Sequence, residues 1–343
     1  MEKKIPIQNI YYMLCYSWDA LKEKDLVDVN DIDSTELMDL FAKVLIGGTN
    51  YLIRRGLDRR YLCSTEDLGV IRGKINFDDT FKRRLLQKGK VSCGYDDLSH
   101  NILHNQIIKT TVKYLIYYEG LNNKLKEGLL GLYKYFRDID EIRLNSKVFS
   151  NVILHRNNHY YKFLMNICQI VYENLFIDEN KGNTKFKDFE RDEARMARLF
   201  ESFVRNFYKR EQKEYKVCRE DIYWNDLKQD QHDKGYLPKM QTDISLVSDK
   251  RKIIIDTKYS KNTLSDRGKV KSENLYQLFS YLKNVEIKGG VNESCEGMLL
   301  YPQIDKALEL EYFIHGHRVQ VKTVDLNQEW WLIHRKLLSI IEN

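Results

Sequence analysis

The segment TDISLVSDKRKIIIDTKY, from Thr242 to Tyr259, holds the residue types and spacing most capable of chemistry. Two apolar runs flank Ser248-Asp249-Lys250-Arg251, which predicts an antiparallel hairpin with Asp249 and Lys250 as its two-residue turn. In that register Asp243 stands opposite Asp256, and strand alternation projects Asp256 and Lys258 from one face. Two carboxylates about 5 Å apart across a sheet repel unless something positive sits between them. Mg2+ removes that penalty: it takes oxygen ligands, keeps several waters and uses one or two carboxylates plus phosphate oxygens. Beside such a metal, Lys258 would orient a water, or help deprotonate it, for in-line attack on a phosphodiester.

A lone Asp-x-Lys occurs by chance in many chains, so the surroundings carry the argument. These are the carboxylate at the matching position of the preceding strand, the apolar run Ile253 to Ile255 and a helical segment on each side. Two more residues are candidates. Glu201, on the helix before the hairpin, either reaches the metal shell or is an exposed, salt-bridged glutamate. Gln277, in NLYQLFSYL, either orients water or phosphate, with Tyr276 and Tyr281 beside it, or is a polar residue at a helix boundary. Other motifs fail. LGVIRGKIN lacks the glycine spacing and the Ser/Thr of a phosphate loop, His315 and His317 read as a turn feature, and the six cysteines show no CxxC or CxxH spacing.

The elements that must position these residues follow from periodicity. Ile7 to Trp18 reads as a helix, and Asp33 with Glu36 forms a capping box ahead of a second helix. Extended segments with turn glycines over Arg59 to Phe77 predict a small β unit or hairpin. Ile102 to Tyr118, Leu125 to Phe136 and His159 to Phe176 are helical by period, and Lys181-Gly182-Asn183 is the linker candidate. The amphipathic DFERDEARMARLFESFVRNFYKRE then leads into a strand, strand, strand, helix, strand order, and Trp330 and Trp331 begin and anchor the last helix. Two domains are expected, 1–165 and 166–343.

With 43% apolar and 31% charged residues and only three prolines in 343, the chain is neither low-complexity nor disordered. No stretch is apolar enough to span a membrane, and the N-terminus lacks a signal peptide, so a cytoplasmic protein with reduced thiols is expected. Between Arg54 and Lys90, eleven Lys/Arg face five Asp/Glu, an excess equal to the net +6 of the entire chain. Such a stretch suits nucleic acid, an acidic protein surface, or simply a solvated face.

IPIQNIYYMLCYSW, YYKFLMNICQIVYENLF, DFERDEARMARLFESFVRNFYKRE, TDISLVSDKRKIIIDTKY, ENLYQLFSYL and QEWWLIHRKLL occur in an order that resembles the McrC subunit of McrBC modification-dependent restriction systems. The resemblance spans essentially the whole chain. It implies a helical N-terminal domain with a β-rich finger, followed by a PD-(D/E)xK endonuclease domain of α/β type, α+β overall. The metal carboxylates fall on Asp243 and Asp256 and the lysine on Lys258; the motif's proline is not adjacent, since Pro238 lies earlier. Also implied are a Mg2+ cofactor, double-stranded DNA carrying modified cytosine, and an McrB-like AAA+ hexamer that binds the GTP. The finger, placed in Arg59 to Phe77, would enter the ring's pore, with Arg72 and Lys74 as contacts. The competing reading is a non-catalytic activator and scaffold of that GTPase.

Overall fold

A computed structural model describes residues 5–21, 37–155, 158, 160–177, 184–186, 192–224, 236–260, 262–304 and 306–342. The chain divides into two units, one joining residues 1–24 to 188–343 and the other formed by 25–187. The division differs from the expected break after residue 165, which falls inside a helix, Tyr160–Asn174. It differs again at the start, where the first helix, α1 (Ile7–Ser17), belongs to the C-terminal unit. The cause is long-range packing that periodicity does not reveal. Tyr16 lies 5.7 Å from Phe203 and 5.4 Å from Phe207, ring centre to ring centre. Asn9 donates to the carbonyls of Leu326 and Gln328, 2.8 Å each. The expected cap at Asp33 and Glu36 and the linker Lys181-Gly182-Asn183 lie outside the described residues.

The 25–187 unit is mainly helical: α2 (Leu37–Arg55), then a small sheet, then α4 (Leu103–Tyr117), α5 (Asn123–Tyr133), α6 (Ser146–Ser150) and α7 (Tyr160–Asn174). The sheet contains β1 (Arg60–Leu68), β2 (Lys74–Ile75) and β3 (Val91–Ser99), with α3 (Phe77–Lys82) between the last two. Its order is β1-β3-β2, so the central strand lies beyond the Arg59 to Phe77 span assigned to the finger. All of β1 pairs with β3, from Arg60↔Ser99 to Leu68↔Val91. A separate two-stranded pair, β4 (Leu175–Ile177) and β5 (Thr184–Phe186), follows α7.

The second unit is of α/β type. After α8 (Glu193–Glu211) come β6 (Lys216–Cys218), β7 (Asp221–Ile222), β8 (Met240–Gln241), β9 (Ile244–Val247) and β10 (Lys252–Thr257). Helix α9 (Ser272–Glu286) crosses over to β11 (Glu296–Pro302), and β12 (Glu309–Ile314), β13 (His317–Val324) and α10 (Trp330–Glu342) complete it. The main sheet runs β12-β13-β11-β10-β9-β6, parallel across β13-β11-β10 and antiparallel toward both edges. Parallel β10 and β11 require a crossover, and α9 supplies it. Leu278, Tyr281 and Leu282 of α9 share a core cluster with Ile254, Leu299 and Val321.

The fold is therefore mixed α+β as expected, a helical unit with a β finger and an α/β unit around a mixed sheet. The β12–β13 hairpin was not anticipated. Its turn is His315-Gly316, with φ of +48° and +88°, and His317 enters the strand fully buried. Only one tryptophan anchors α10: Trp330 stacks on Tyr16 at 5.7 Å and lies 4.8 Å from Tyr12, whereas Trp331 is exposed. No helix among the described residues is long and apolar enough to cross a membrane.

Candidate active site

The hairpin forms in the expected register. Lys252 pairs with Val247, Ile253 with Leu246, Ile254 with Ser245 and Ile255 with Ile244. Ser248 N–H donates to the Arg251 carbonyl at 2.9 Å, which leaves Asp249 and Lys250 as the turn. The next pair would be Asp256 with Asp243. There the ladder stops, because Asp243 turns its carboxylate to the strand end, and its Oδ2 accepts from both the amide (2.9 Å) and the hydroxyl (2.8 Å) of Thr257.

Asp256 is held differently. Every residue of β10 is buried, and the sheet continues on both sides, with Leu299 of β11 as the parallel neighbour of Asp256. Its side chain is 1% exposed, and neither carboxylate oxygen has an aligned hydrogen-bond partner. The Lys258 ammonium lies 2.8 Å from Oδ2 as an ion contact. Its aligned bond goes to Gln277 Oε1 at 2.8 Å, and Gln277 Nε2 donates to the Tyr281 hydroxyl at 2.7 Å. Burial pushes the Asp256 carboxyl up to about 6; Lys258 pulls it down, while the charges of Asp243 and Glu201 push it further up.

A buried carboxylate without hydrogen bonds is costly, and such groups pair or coordinate metal. Two carboxylates and no nitrogen or sulfur donor suit a hard cation such as Mg2+, which retains water and takes phosphate oxygens. Among the described residues no group of three or more His, Cys, Asp or Glu side chains is placed to hold a metal. The set therefore fits a cation that keeps open positions better than a closed structural site.

Four of the residues singled out in the sequence thus come together: Asp243, Asp256, Lys258 and Gln277. Glu201 bonds Arg205 at 2.6 Å and lies 3.5 Å from Arg219, so of its two readings the salt-bridged one describes its contacts, although its charge still acts on Asp256. Arg72 and Lys74 are in the other unit. The Arg72 guanidinium sits 3.9 Å over the Tyr95 ring and 3.2 Å from Asp97, and Lys74 is exposed on β2. Sequence reasoning placed Tyr281 beside Gln277, where the structure has it, and missed the role of Thr257. Thr257 sits inside Asp-Thr-Lys, and Tyr281 is one helical turn after Gln277, a spacing that signals neighbours on one helix face.

Residues 4–302 match the family model described as McrBC 5-methylcytosine restriction system component. The chain belongs to the McrC family of the McrBC restriction system. A relative from Escherichia coli K12, the type IV methyl-directed restriction enzyme EcoKMcrBC, is 36% identical over 341 residues, 98% of this chain and 97% of the relative. A solved assembly of Thermococcus gammatolerans McrB AAA+ hexamers with bound McrC contains a chain similar to this one at TM-score 0.63 and 18% identity. That match covers 98% of this chain and 76% of the archaeal chain and bears on the fold.

Proposed function

We propose that this chain is the Mg2+-dependent endonuclease subunit of a McrBC-type complex, hydrolysing phosphodiesters of double-stranded DNA that carries modified cytosine. The observation that carries the reading is Asp256: buried, without an aligned hydrogen bond, opposite Asp243 in the hairpin register just beyond the last ladder pair, and 2.8 Å from the Lys258 ammonium. This arrangement supports the PD-(D/E)xK nuclease reading. Asp243 and Asp256 would hold the metal, which when bound polarises the phosphate and acidifies water. Gln277 fixes the direction of the Lys258 ammonium, and Tyr281 fixes Gln277. Lys258 then orients the attacking water and offsets the negative charge that grows on the phosphate oxygens.

The family and the Thermococcus gammatolerans assembly support a McrB-type AAA+ hexamer as partner; the resemblance implies that this partner would bind the GTP and read the modified base. The exposed finger strands, including Arg72 and Lys74, would dock there and stimulate the GTPase. A cytoplasmic setting suits all of these partners.

Cleavage of cytosine-methylated duplex with Mg2+ and GTP, with and without the partner, tests the reading. Cutting that needs the partner and vanishes in Asp256→Ala, with GTPase stimulation retained, is the expected result. Cutting that survives in Asp256→Ala removes this site from consideration and leaves the activator role.

A further inference from the structure

The chain that leaves Lys258 does not run directly into α9. It first makes a small closed loop: Leu264 bridges to Val270 in antiparallel fashion, Ser265 N–H donates to the Lys269 carbonyl at 2.8 Å, and Gly268 N–H donates to the Ser265 carbonyl at 2.8 Å. Gly268 takes φ +69°, which a side chain disfavours, and the Ser265 hydroxyl accepts from Lys269 N–H at 3.3 Å. Val270 packs against the core cluster that also holds Ile254 and Leu278. The loop is thus tied to the same strand and helix that carry Asp256, Lys258 and Gln277.

What the tied loop presents outward is cationic. Arg267 and Lys269 are exposed at its tip and Lys271 is half-buried at its base, and among the described residues none of the three has a carboxylate within ion-pair distance. The nearby acids in sequence are Asp266 and Glu273, both exposed. Exposed cations on a tied loop that follows Lys258 in the chain and leads into the helix carrying Gln277 are suited to position a phosphate backbone.

We propose that the Leu264–Val270 loop is a backbone-holding arm: Arg267 and Lys269, with Lys271 at its base, contact phosphates of the double-stranded DNA and seat it against Asp256 and Lys258. The proposal rests on the nuclease reading, and they are positioning residues. The test uses the full chain carrying Asp256→Asn, so that binding is read without cutting. Affinity for a fluorescent duplex is measured against salt, with and without the AAA+ partner, for Arg267→Gln/Lys269→Gln/Lys271→Gln and for Arg267→Lys.

Each lost phosphate contact lowers the salt slope by about 0.9, so the triple variant should lose close to three; between 50 and 200 mM salt the parent's affinity then falls about 40-fold more than the variant's. Arg267→Lys should keep the parent slope. Equal slopes in parent and triple variant, or no DNA binding by the parent under either condition, overturn the proposal. So does an unchanged slope with weakened GTPase stimulation, which would mark the loop as a protein contact. Cleavage that persists in Asp256→Asn would sink the nuclease reading instead, a result this binding assay does not depend on.

Discussion

The Lys258 ammonium lies 2.8 Å from Oδ2 of Asp256, a carboxylate that is 99% hidden from solvent yet has no aligned hydrogen bond. One cation contact does not offset full burial, which is why the acid remains displaced upward to about 6 from its usual 3.8.

That displacement fixes a pH dependence for the metal-free protein. Between about pH 4 and 6 the folded carboxyl keeps its proton while the unfolded one has lost it, so stability falls as pH rises, and the penalty is complete above the folded value. Its size is on the order of 3 kcal/mol. Asp256→Asn should be more stable than the parent at pH 7 by about 1–3 kcal/mol and equal to it near pH 4. Denaturant unfolding at the two pH values decides it; an equal difference at both would remove the buried charge as the cause.

Mg2+ should raise the melting temperature of the parent and not of Asp256→Asn, because ligand that binds only the folded state stabilises it by mass action. Chelation with EDTA should reverse the gain. A rise of the same size in both proteins would place the cation elsewhere.

Gln277→Ala releases the acceptor that aims Lys258, and Tyr281→Phe removes the hydroxyl that holds Gln277. Single-turnover cleavage should fall about 10- to 100-fold in the first and less in the second, against at least 100-fold for Lys258→Met. The ranking is the test. A Tyr281→Phe loss larger than that of Gln277→Ala would mean the tyrosine acts on its own.

In the finger, Gly73 sits at φ +70°, and a Cβ there would come 2.5 Å from the Gly94 carbonyl oxygen. Gly73→Ala should therefore cost at least 2 kcal/mol of stability in the 25–187 unit. Lys74→Ala, at an exposed position, should cost less than 0.5 kcal/mol. Equal melting temperatures for the two variants would contradict the tight β2–β3 approach.

The site was readable because its positioning is local. Asp243, Asp256 and Lys258 share one hairpin, and the apolar runs on either side of Asp249-Lys250 specify its register. Partners fixed by tertiary packing were not readable in that way. Nothing in the helical period of Ile7–Ser17 indicates that Asn9 bonds the carbonyls before α10, or that β1 waits for a strand beginning at Val91. The hydroxyl of Thr257 looked like an ordinary strand residue until the end of the ladder turned Asp243 toward it.

Because residues 25–187 interrupt the other unit, the order of synthesis and the order of assembly are opposed. Helix α1 emerges first, but Phe203, Phe207 and Trp330, against which its aromatic face packs, are made last. At ordinary ribosomal speeds the delay is on the order of 10 s or more, ample time for the inserted unit to fold on its own. Joining the two flanks then closes a loop at a chain-entropy cost on the order of 4 kcal/mol, less if the insertion has already brought its ends together. Stalled chains ending near residue 190 should therefore leave α1 open to protease, while full-length chains, with Phe203, Phe207 and Trp330 in place, protect it.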